Sequence, residues 1–261
     1  MKTAIVFLTT TPQGNTLQFR NEVSKHFDTF IVADTTEELG LSSRLIQISD
    51  KICVDNGYFG CNISGNETHI KKQVIAFDKF LFVFCKKLTE YDFIWVFEDD
   101  VFIPSVETIL NLHKNYCQYD LVTPNNFLKQ DTLPDWHWKH IFDKTEPPYY
   151  YSMVCAMGIS RAMLHKIKEY VDNNHHLFYQ EVMFNTLAMQ NGLQIIDAFE
   201  LKSVVWQGKW DIDEFLLLPN SVFHPRKDIE NHYSIREKCM GLHLSGYKPK
   251  NNLPEFINEL L

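Results

Sequence analysis

Three adjacent carboxylates, Glu98, Asp99 and Asp100, are the residues whose type and spacing most directly suggest chemistry in this sequence. They follow the uninterrupted apolar run 93–97, which is typical of a central strand covered on both faces. Neighbouring carboxylates repel one another unless a cation is present, and Mg²⁺ and Mn²⁺ prefer oxygen ligands. Ligands of open α/β sheets bind outside the carboxyl ends of the strands. The pattern predicts a divalent-cation site, although a solvated acidic turn would have the same sequence.

A second group of candidate ligands lies late in the chain, where His224 is followed closely by Arg226 and Lys227. A neutral imidazole nitrogen can ligate a divalent cation, and the two cationic side chains can pair with a diphosphate. A single histidine is more often structural, but the two following cations favour a role in binding. We therefore predict that Asp100, Glu98 and His224 hold the metal.

Composition limits the classes of protein that this chain can represent. The chain has 261 residues, 45% of them hydrophobic and 22% charged, which predicts a globular protein and, without a convincing linker, one continuous domain over 1–261. Its net charge of -8 argues against a general affinity for nucleic acid. No apolar run approaches the ~20 residues that span a bilayer. Met1–Thr3 leads directly into a predicted strand without a signal peptide, so we expect a cytoplasmic location.

The first half of the chain has the order of elements expected of an α/β protein. A strand over Ala4–Leu8 leads into a polar loop, and a second strand over Phe30–Ala33 ends at Asp34. Helices are predicted over 19–27 and over 69–88, and the second has apolar residues at three- and four-residue spacing. This order predicts a mostly parallel central sheet flanked by helices.

The second half continues the alternation less regularly. Helices are predicted over 106–116, from Ser160 as N-cap to Val171, and over 181–190, with short strands at 121–123 and 193–196. Residues 125–151 are predicted to be irregular, and the tail from Phe223 onward is predicted to be rich in loops. The six dispersed cysteines are interpreted as reduced, mostly buried thiols.

The segment Trp95–Pro104, with its Glu-Asp-Asp run, resembles the short acidic motif of GT-A-fold glycosyltransferases. Val222–Lys227 is similar to the segment with the late histidine that often completes the metal site of these enzymes. The resemblance extends from the first strand to Lys227, and these two segments are its distinctive parts. A narrower likeness is to the small glycosyltransferases of large DNA viruses and algae, including those that build capsid glycans; a viral source would imply the host cytoplasm.

The resemblance implies a GT-A-like domain with a nucleotide-binding half at about 1–104 and an acceptor-binding half at about 105–261. It implies Mn²⁺ or Mg²⁺, a nucleotide-sugar donor, with uridine as the expected base, and a glycan or glycoprotein acceptor. Ala156–Ser160 resembles a small-residue turn and helix start near the acceptor. The residues that it assigns to the donor are Thr9, Thr10, Asp34, Asp78, Lys79, Glu98, Asp99, Arg226 and Lys227. Asp78 and Lys79 belong to a Trp-Asp-Lys-type signature in which this chain has Phe77.

Inversion at the transferred sugar would require a general base for the acceptor hydroxyl. Glu181 is the first candidate, since it opens a predicted helix beside Phe178 and Tyr179. It also falls in a segment like the one that carries a catalytic or acceptor-orienting acid in the family. A helix N-terminal glutamate is equally well explained by the macrodipole. Asp99 is the second candidate, with Asp211 and Asp213 as further alternatives. A retaining transfer would require no such base, and the residues do not decide between the two.

Aromatic side chains in the irregular stretch are candidates for acceptor contacts, because rings in loops can stack on sugars. Trp136, Trp138 and Tyr151 are the residues that we predict to contact the acceptor, although such rings more often fold over the core. The rival enzymes are a metal-dependent nucleotidyltransferase or phosphoesterase. The first would be expected to have a Gly-rich loop where Thr9–Gly14 has one glycine, and the second more Asp and His at strand ends. A non-catalytic carbohydrate-binding protein would be expected to lose the acidic run or His224.

Overall fold

The computed structural model describes residues 1–12, 14–35, 39, 44–62, 73–129 and 141–249. A seven-stranded sheet forms its centre, with strand order β3-β2-β1-β4-β8-β5-β9, and β6 and β7 form a separate pair. The strands are β1 (Thr3–Thr9), β2 (Asp28–Ala33), β3 (Leu45–Gln47), β4 (Phe93–Glu98), β5 (Leu121–Thr123), β6 (Phe127–Leu128), β7 (Tyr150–Tyr151), β8 (Ala156–Ser160) and β9 (Ile195–Asp197).

All neighbouring strands of the central sheet are parallel except those involving β8, which runs antiparallel to both β4 and β5. The predicted α/β class, with a mostly parallel sheet flanked by helices, is therefore confirmed. Strands β1 to β4 come from the first 104 residues, and β5, β8 and β9 come from the remainder. The two halves of the chain thus share one continuous sheet.

The helices of the described residues are α1 (Gly14–Val23), α2 (Asp50–Asp55), α3 (Ala76–Lys86), α4 (Val106–Tyr116), α5 (Arg161–Asn174), α6 (Gln180–Gln190), α7 (Ile212–Leu217) and α8 (His232–Leu244). Two of the predictions about helices are wrong. The first helix ends at Val23 rather than continuing to Phe27, and the tail that was predicted to be loop-rich contains α8. Helix α3 begins at Ala76, and positions 69–72 of the longer predicted helix lie outside the described residues.

The sheet buries apolar side chains on both faces. This explains why its strands have continuous apolar sequences and do not alternate apolar with polar residues. On one face, Ala4, Val6 and Leu8 of β1 pack in a cluster with α3, α5 and α6. On the other, Ile5 and Phe7 pack in a second cluster with α1 and α4. Full burial of one large apolar side chain stabilises the fold by about 1.5–3 kcal/mol. The apolar runs of β1 and β4 therefore require helices on both sides.

Strand β8 replaces a turn in the sequence prediction. Ala156–Ser160 was expected to form a turn and a helix start, yet it pairs along its whole length with β4. The glycine within it is required by packing, because a Cβ at Gly158 would lie 2.7 Å from Cζ of Phe93. Helix α5 begins at Arg161, directly after the strand, and the Ser160 hydroxyl caps it by accepting a hydrogen bond from Met163 N at 3.1 Å.

The arrangement of strands brings particular residues to one edge of the sheet. The parallel strands β1, β2 and β4 end at this edge, with Thr9, Asp34 and Glu98 there. Because β8 runs in the opposite direction, its N-terminal neighbour Cys155 lies at the same edge, and Cys155 O accepts a hydrogen bond from Glu98 N at 2.8 Å. A search of the helices in the described ranges finds none with the length and apolarity needed to cross a membrane.

Candidate metal and active site

The late segment that contains His224 is held directly against the end of β4. Phe102 and Phe223 exchange backbone hydrogen bonds of 2.8 and 2.9 Å, and Arg226 N donates to Asp100 O at 2.7 Å. These bonds place His224 Nε2 at 3.4 Å from Asp100 Oδ1. Two predicted metal ligands that are 124 positions apart in the sequence are therefore neighbours.

The ring of His224 is oriented by its surroundings. Its Nδ1 lies 2.8 Å from Val205 O, which can only accept, so Nδ1 carries a proton, and in the neutral ring the lone pair is on Nε2, the nitrogen nearest Asp100. The carbonyl of His224 accepts a further hydrogen bond of 3.0 Å from Trp210 Nε1. A backbone carbonyl behind the imidazole is the usual arrangement of a metal-ligating histidine, because it sets the tautomer and the ring orientation.

The donor atoms at this edge fit a divalent cation. One potential ligand atom each from Glu98, Cys155 and His224 lie within 4.8 Å of one another. Asp100 Oδ1 is buried and makes no hydrogen bond, which leaves a carboxylate oxygen unsatisfied beside the imidazole. Carboxylate and imidazole groups are ligands for Mg²⁺, Mn²⁺ and related ions. The structure thus places His224 close to each of the other two predicted metal ligands, Glu98 and Asp100.

The pKa shifts of these groups reflect burial and the mutual repulsion of their carboxylates, which His224 offsets in part. Burial, reinforced by the charge of Asp100, raises the pKa of Glu98 to about 7. For Asp100, burial opposes ionisation, but the contact with His224 outweighs it and lowers the pKa. Burial likewise opposes protonation of His224, but Asp100 outweighs it and raises the pKa of the imidazole. A divalent cation would replace the proton as the counter-charge of this cluster.

Glu181 lies close enough to the same cluster to interact with the charges of Glu98 and His224. It lies in the first turn of α6, and its backbone carbonyl accepts a hydrogen bond of 2.9 Å from Ser152 N. Burial raises the pKa of its carboxyl to about 7, a hydrogen bond from Tyr179 opposes this shift, and the charge of Glu98 adds to it. A buried carboxylate with a pKa near neutrality has a property expected of a general base.

Asp99, the other predicted base, is engaged by the loop after β1. It accepts a hydrogen bond of 2.5 Å from Thr9 Oγ1 and a second from the Thr10 backbone N–H. Burial raises the pKa of Asp99, although these hydrogen bonds oppose the shift. Two of the predicted donor residues, Thr9 and Thr10, are therefore neighbours of the acidic run, and they hold Asp99 in place.

Three further residues that were predicted to bind the nucleotide-sugar donor lie near the end of β2, two strands away from β4. The ammonium of Lys79 lies 2.8 Å from Asp34 Oδ1 and 2.8 Å from Asp50 Oδ1. Asp78 accepts hydrogen bonds from Cys61 N at 3.0 Å and Ile75 N at 2.8 Å, and is fully buried. Asp78 therefore ties the start of α3 to the preceding segment, and Lys79 ties α3 to the sheet.

The two cations after His224 differ in their surroundings. The guanidinium of Arg226 donates to Asp228 Oδ2 at 2.8 Å and to Trp210 O at 2.7 Å. Lys227 contributes through its charge to the lowered pKa of Asp100, after the effects of burial and His224. Of the two cations, Lys227 is thus the one whose charge acts on the acidic run.

The remaining candidates are dispersed. Tyr151 lies in β7 and packs against Phe127, with ring centroids 5.5 Å apart. Asp211 caps α7, and Asp213 accepts a hydrogen bond of 3.0 Å from Tyr247. Trp136 and Trp138 lie outside the described residues.

Three residues near the site were not predicted from the sequence. Cys155 reaches the cluster only because β8 is antiparallel, and Tyr179 was noted as an aromatic neighbour of Glu181 but not as its hydrogen-bond donor. Asn185 follows Glu181 by one helical turn and is fully buried. Its amide donates to Asn126 Oδ1 at 2.9 Å, and its own Oδ1 is buried without a partner. The four-residue spacing of Glu181 and Asn185 was the sequence signal that could have identified Asn185 as a neighbour of Glu181.

Comparison with known proteins adds no family to this picture. The search against protein-family models gives no match, and neither does the search of curated protein sequences.

Proposed function

We propose that this chain is a metal-dependent glycosyltransferase that moves a sugar from a nucleotide-diphosphate donor, with UDP-sugar as the expected donor, to a hydroxyl of a glycan or glycoprotein acceptor. The observation that carries the proposal is the convergence of Glu98, Asp100 and His224 at the end of β4, with Glu181 beside them. This convergence combines a cation site with a carboxylate whose pKa is near neutrality, and glycosyl transfer from a nucleotide donor uses both.

The cation site would serve the departing diphosphate. Asp100, Glu98 and His224 would hold Mn²⁺ or Mg²⁺, which when bound acts as a Lewis acid toward phosphoryl oxygens. Lys227 supplies an additional positive charge near Asp100. Fixed positive charge aimed at developing negative charge is among the largest contributions to catalysis. This division of roles explains why the acidic run has a late cationic segment packed against it.

Glu181 would accept the proton of the acceptor hydroxyl as that oxygen attacks the anomeric carbon and the bond to the diphosphate breaks. Its pKa of about 7 leaves a large fraction ionised at neutral pH while keeping it basic enough to take a proton. The hydrogen bond from Tyr179 orients the carboxylate. Asp99 is the weaker candidate because Thr9 and Thr10 already occupy its carboxylate. This assignment predicts inversion of configuration at the sugar.

The rival functions are less well supported by the site. A two-metal phosphoesterase needs ligands for two adjacent cations, and the described residues provide one cluster of at least three His, Cys, Asp or Glu ligands. A non-catalytic carbohydrate-binding protein has no need for a buried carboxylate of raised pKa beside a cation site. The perturbed pKa values of Glu98 and Glu181 therefore favour an enzyme.

Calorimetric titration with UDP, with and without Mn²⁺ and with GDP as the nucleotide control, tests the donor site. We expect UDP binding that requires the metal and that is abolished in Asp100→Ala while the fold remains intact. UDP-sugars would then be screened for Mn²⁺-dependent hydrolysis and transfer. Absence of nucleotide binding under every metal condition, or near-normal turnover in Asp100→Ala, would refute the proposal.

A further inference from the structure

Cys155 adds a sulfur atom to the candidate cation site. The sequence motifs of this site, which are the acidic run and His224, did not predict a cysteine ligand. Its thiol lies at the junction of two strands, where Glu98 N donates to Cys155 O, and it hydrogen-bonds with the Glu98 carboxylate. Potential ligand atoms of Cys155, Glu98 and His224 lie within 4.8 Å of one another. These three residues come from three separate segments that the tertiary structure brings together.

Two overlapping sets of possible ligands therefore lie at the C-terminal end of β4. The predicted ligands Asp100, Glu98 and His224 supply oxygen and nitrogen atoms, which suit a hard cation such as Mn²⁺, and Asp100 lies 3.4 Å from the His224 ring. Cys155, Glu98 and His224 form a set of sulfur, nitrogen and oxygen atoms, which are the ligand types of zinc sites with three protein ligands and one open position. Because Glu98 and His224 belong to both sets, one cation at a time can use them.

We propose that Cys155 makes this centre a site for a thiophilic divalent cation, with Zn²⁺ as its representative, which competes with Mn²⁺ for Glu98 and His224. On coordination the thiol proton passes to solvent and the thiolate sulfur becomes a ligand. Zn²⁺ also exceeds Mn²⁺ in intrinsic affinity for nitrogen and sulfur donors. The inference concerns metal binding by the protein alone and does not rest on the proposed sugar transfer.

The contacts of the other groups at the site support this assignment. His224 Nδ1 is held by Val205 O, so Nε2 faces the cluster whichever cation is bound. Cys155 is 7% exposed, so its sulfur has little access to solvent and faces protein groups instead. The strand pairing that places it there also excludes large movements of its backbone.

Binding of Co²⁺ and Zn²⁺ to the nucleotide-free protein tests the inference directly. Co²⁺ should produce a near-ultraviolet sulfur-to-metal charge-transfer band in the unaltered chain. Cys155→Ala should lose that band and bind Zn²⁺ at least about tenfold more weakly, since even loss of an outer partner of a metal ligand costs about this much. Mn²⁺ affinity should change far less, because Mn²⁺ prefers oxygen ligands. Zn²⁺ should displace Mn²⁺ from the unaltered chain.

Cys117→Ala is the matched control, because Cys117 lies at the end of α4 and outside the ligand cluster. It should retain the band and the Zn²⁺ affinity. Cys155→Ser replaces the alanine variant if the latter fails to fold, and the band in the unaltered chain needs no variant. Absence of the band, or equal Zn²⁺ affinity with and without the Cys155 thiol, would overturn the inference. Loss of UDP binding alone would count against the proposed function and leave this inference standing.

Discussion

Acidic side chains lie at the ends of both β2 and β4, but the two groups differ in their positively charged partners. At the end of β2, the ammonium of Lys79 lies 2.8 Å from Asp34 and 2.8 Å from Asp50, and the Lys79 side chain is only 2% exposed. At the end of β4, no lysine or arginine within the described ranges makes an ion pair with residues 98–100. The ion-pair partner of Asp100 is His224, whose Nε2 lies 3.4 Å from Asp100 Oδ1.

The difference separates a structural cluster from a candidate site. Burial alone would lower the pKa of Lys79, but its two carboxylate partners outweigh burial and raise it, so this pair carries its own counter-charge. Burial raises the pKa of Glu98 to about 7, and the nearby Asp100 adds to the shift. A cluster that contains its cation has no need for a ligand. A cluster of acids without a lysine or arginine partner is prepared to bind a cation from solution.

The largest expected effect concerns catalysis at the β4 end. Glu181→Gln should lower kcat by about 10²–10⁴-fold, because a positioned general base contributes this much. Metal-dependent UDP affinity should be almost unchanged, since Glu181 is assigned to the acceptor proton and not to the donor. Steady-state kinetics with calorimetry separates the two. Glu169→Gln, on the exposed side of α5, is the control and should have normal kcat. Normal kcat in Glu181→Gln would remove the assignment of the base.

The second prediction concerns the counter-charge at the β2 end. Lys79→Met should lower the free energy of unfolding by about 3–5 kcal/mol, because it leaves Asp34 buried without its ammonium partner. Urea unfolding measures the change. Lys166→Met removes a lysine from an exposed pair with Glu169 and should cost less than about 1 kcal/mol. Equal costs for the two variants would erase the contrast between the two strand ends.

The third prediction concerns the response to metal. Mn²⁺ at about 100 times its Kd should stabilise the folded chain by ~2.7 kcal/mol, as expected for any ligand that binds only the folded state. Asp100→Asn should lose this stabilisation, whereas Asp50→Asn should retain it, because Asp50 belongs to the β2 end. Thermal unfolding with and without Mn²⁺ measures both. Retained stabilisation in Asp100→Asn would place the cation elsewhere.

The fourth prediction concerns pH. Burial raises the pKa of Glu98 in the folded state from its ordinary value of 4.5 to about 7, so its favourable contribution is complete below pH 4.5 and is lost as the pH rises through 7. His224 acts in the same direction, because its pKa is also raised. The contribution of Glu98 to the stability of the metal-free chain should therefore fall by roughly 2–3 kcal/mol between pH 5 and pH 8, at ~1.4 kcal/mol per unit of pKa shift.

Urea unfolding across that pH range provides the measurement. Glu98→Gln should make the dependence on pH shallower, and saturating Mn²⁺ should oppose the loss, because metal binding requires deprotonated ligands. The same dependence of stability on pH in Glu98→Gln and in the unaltered chain would contradict this description of the β4 end.

The smallest expected effect is at the outer partner of Lys79. Asp50→Asn should lower the free energy of unfolding by less than about 1 kcal/mol, since the Asp50 side chain is 45% exposed and solvent screens its attraction. Urea unfolding beside Lys79→Met gives the comparison. A cost as large as that of Lys79→Met would mean that the two carboxylates hold the lysine equally.

Local patterns allowed part of the fold to be predicted. The helix over 106–116 has its predicted bounds, and Ser160 caps α5 as its position suggested. The apolar run of β4 is a central strand. Each of these predictions depends on residues within one element. Helix α8 was missed because few of its residues are buried, so its apolar positions form no clear stripe.

The sequence by itself determined that a buried strand ends in three carboxylates, since an apolar run followed by acids has few other stable arrangements. Only the tertiary structure decided which other groups meet those carboxylates. Pairing of β8 with β4 brings Cys155 to Glu98, and the bridge between Phe102 and Phe223 brings His224 to Asp100. These contacts depend on strand direction and register, which are collective properties of the sheet and are not encoded in the spacing of any single motif.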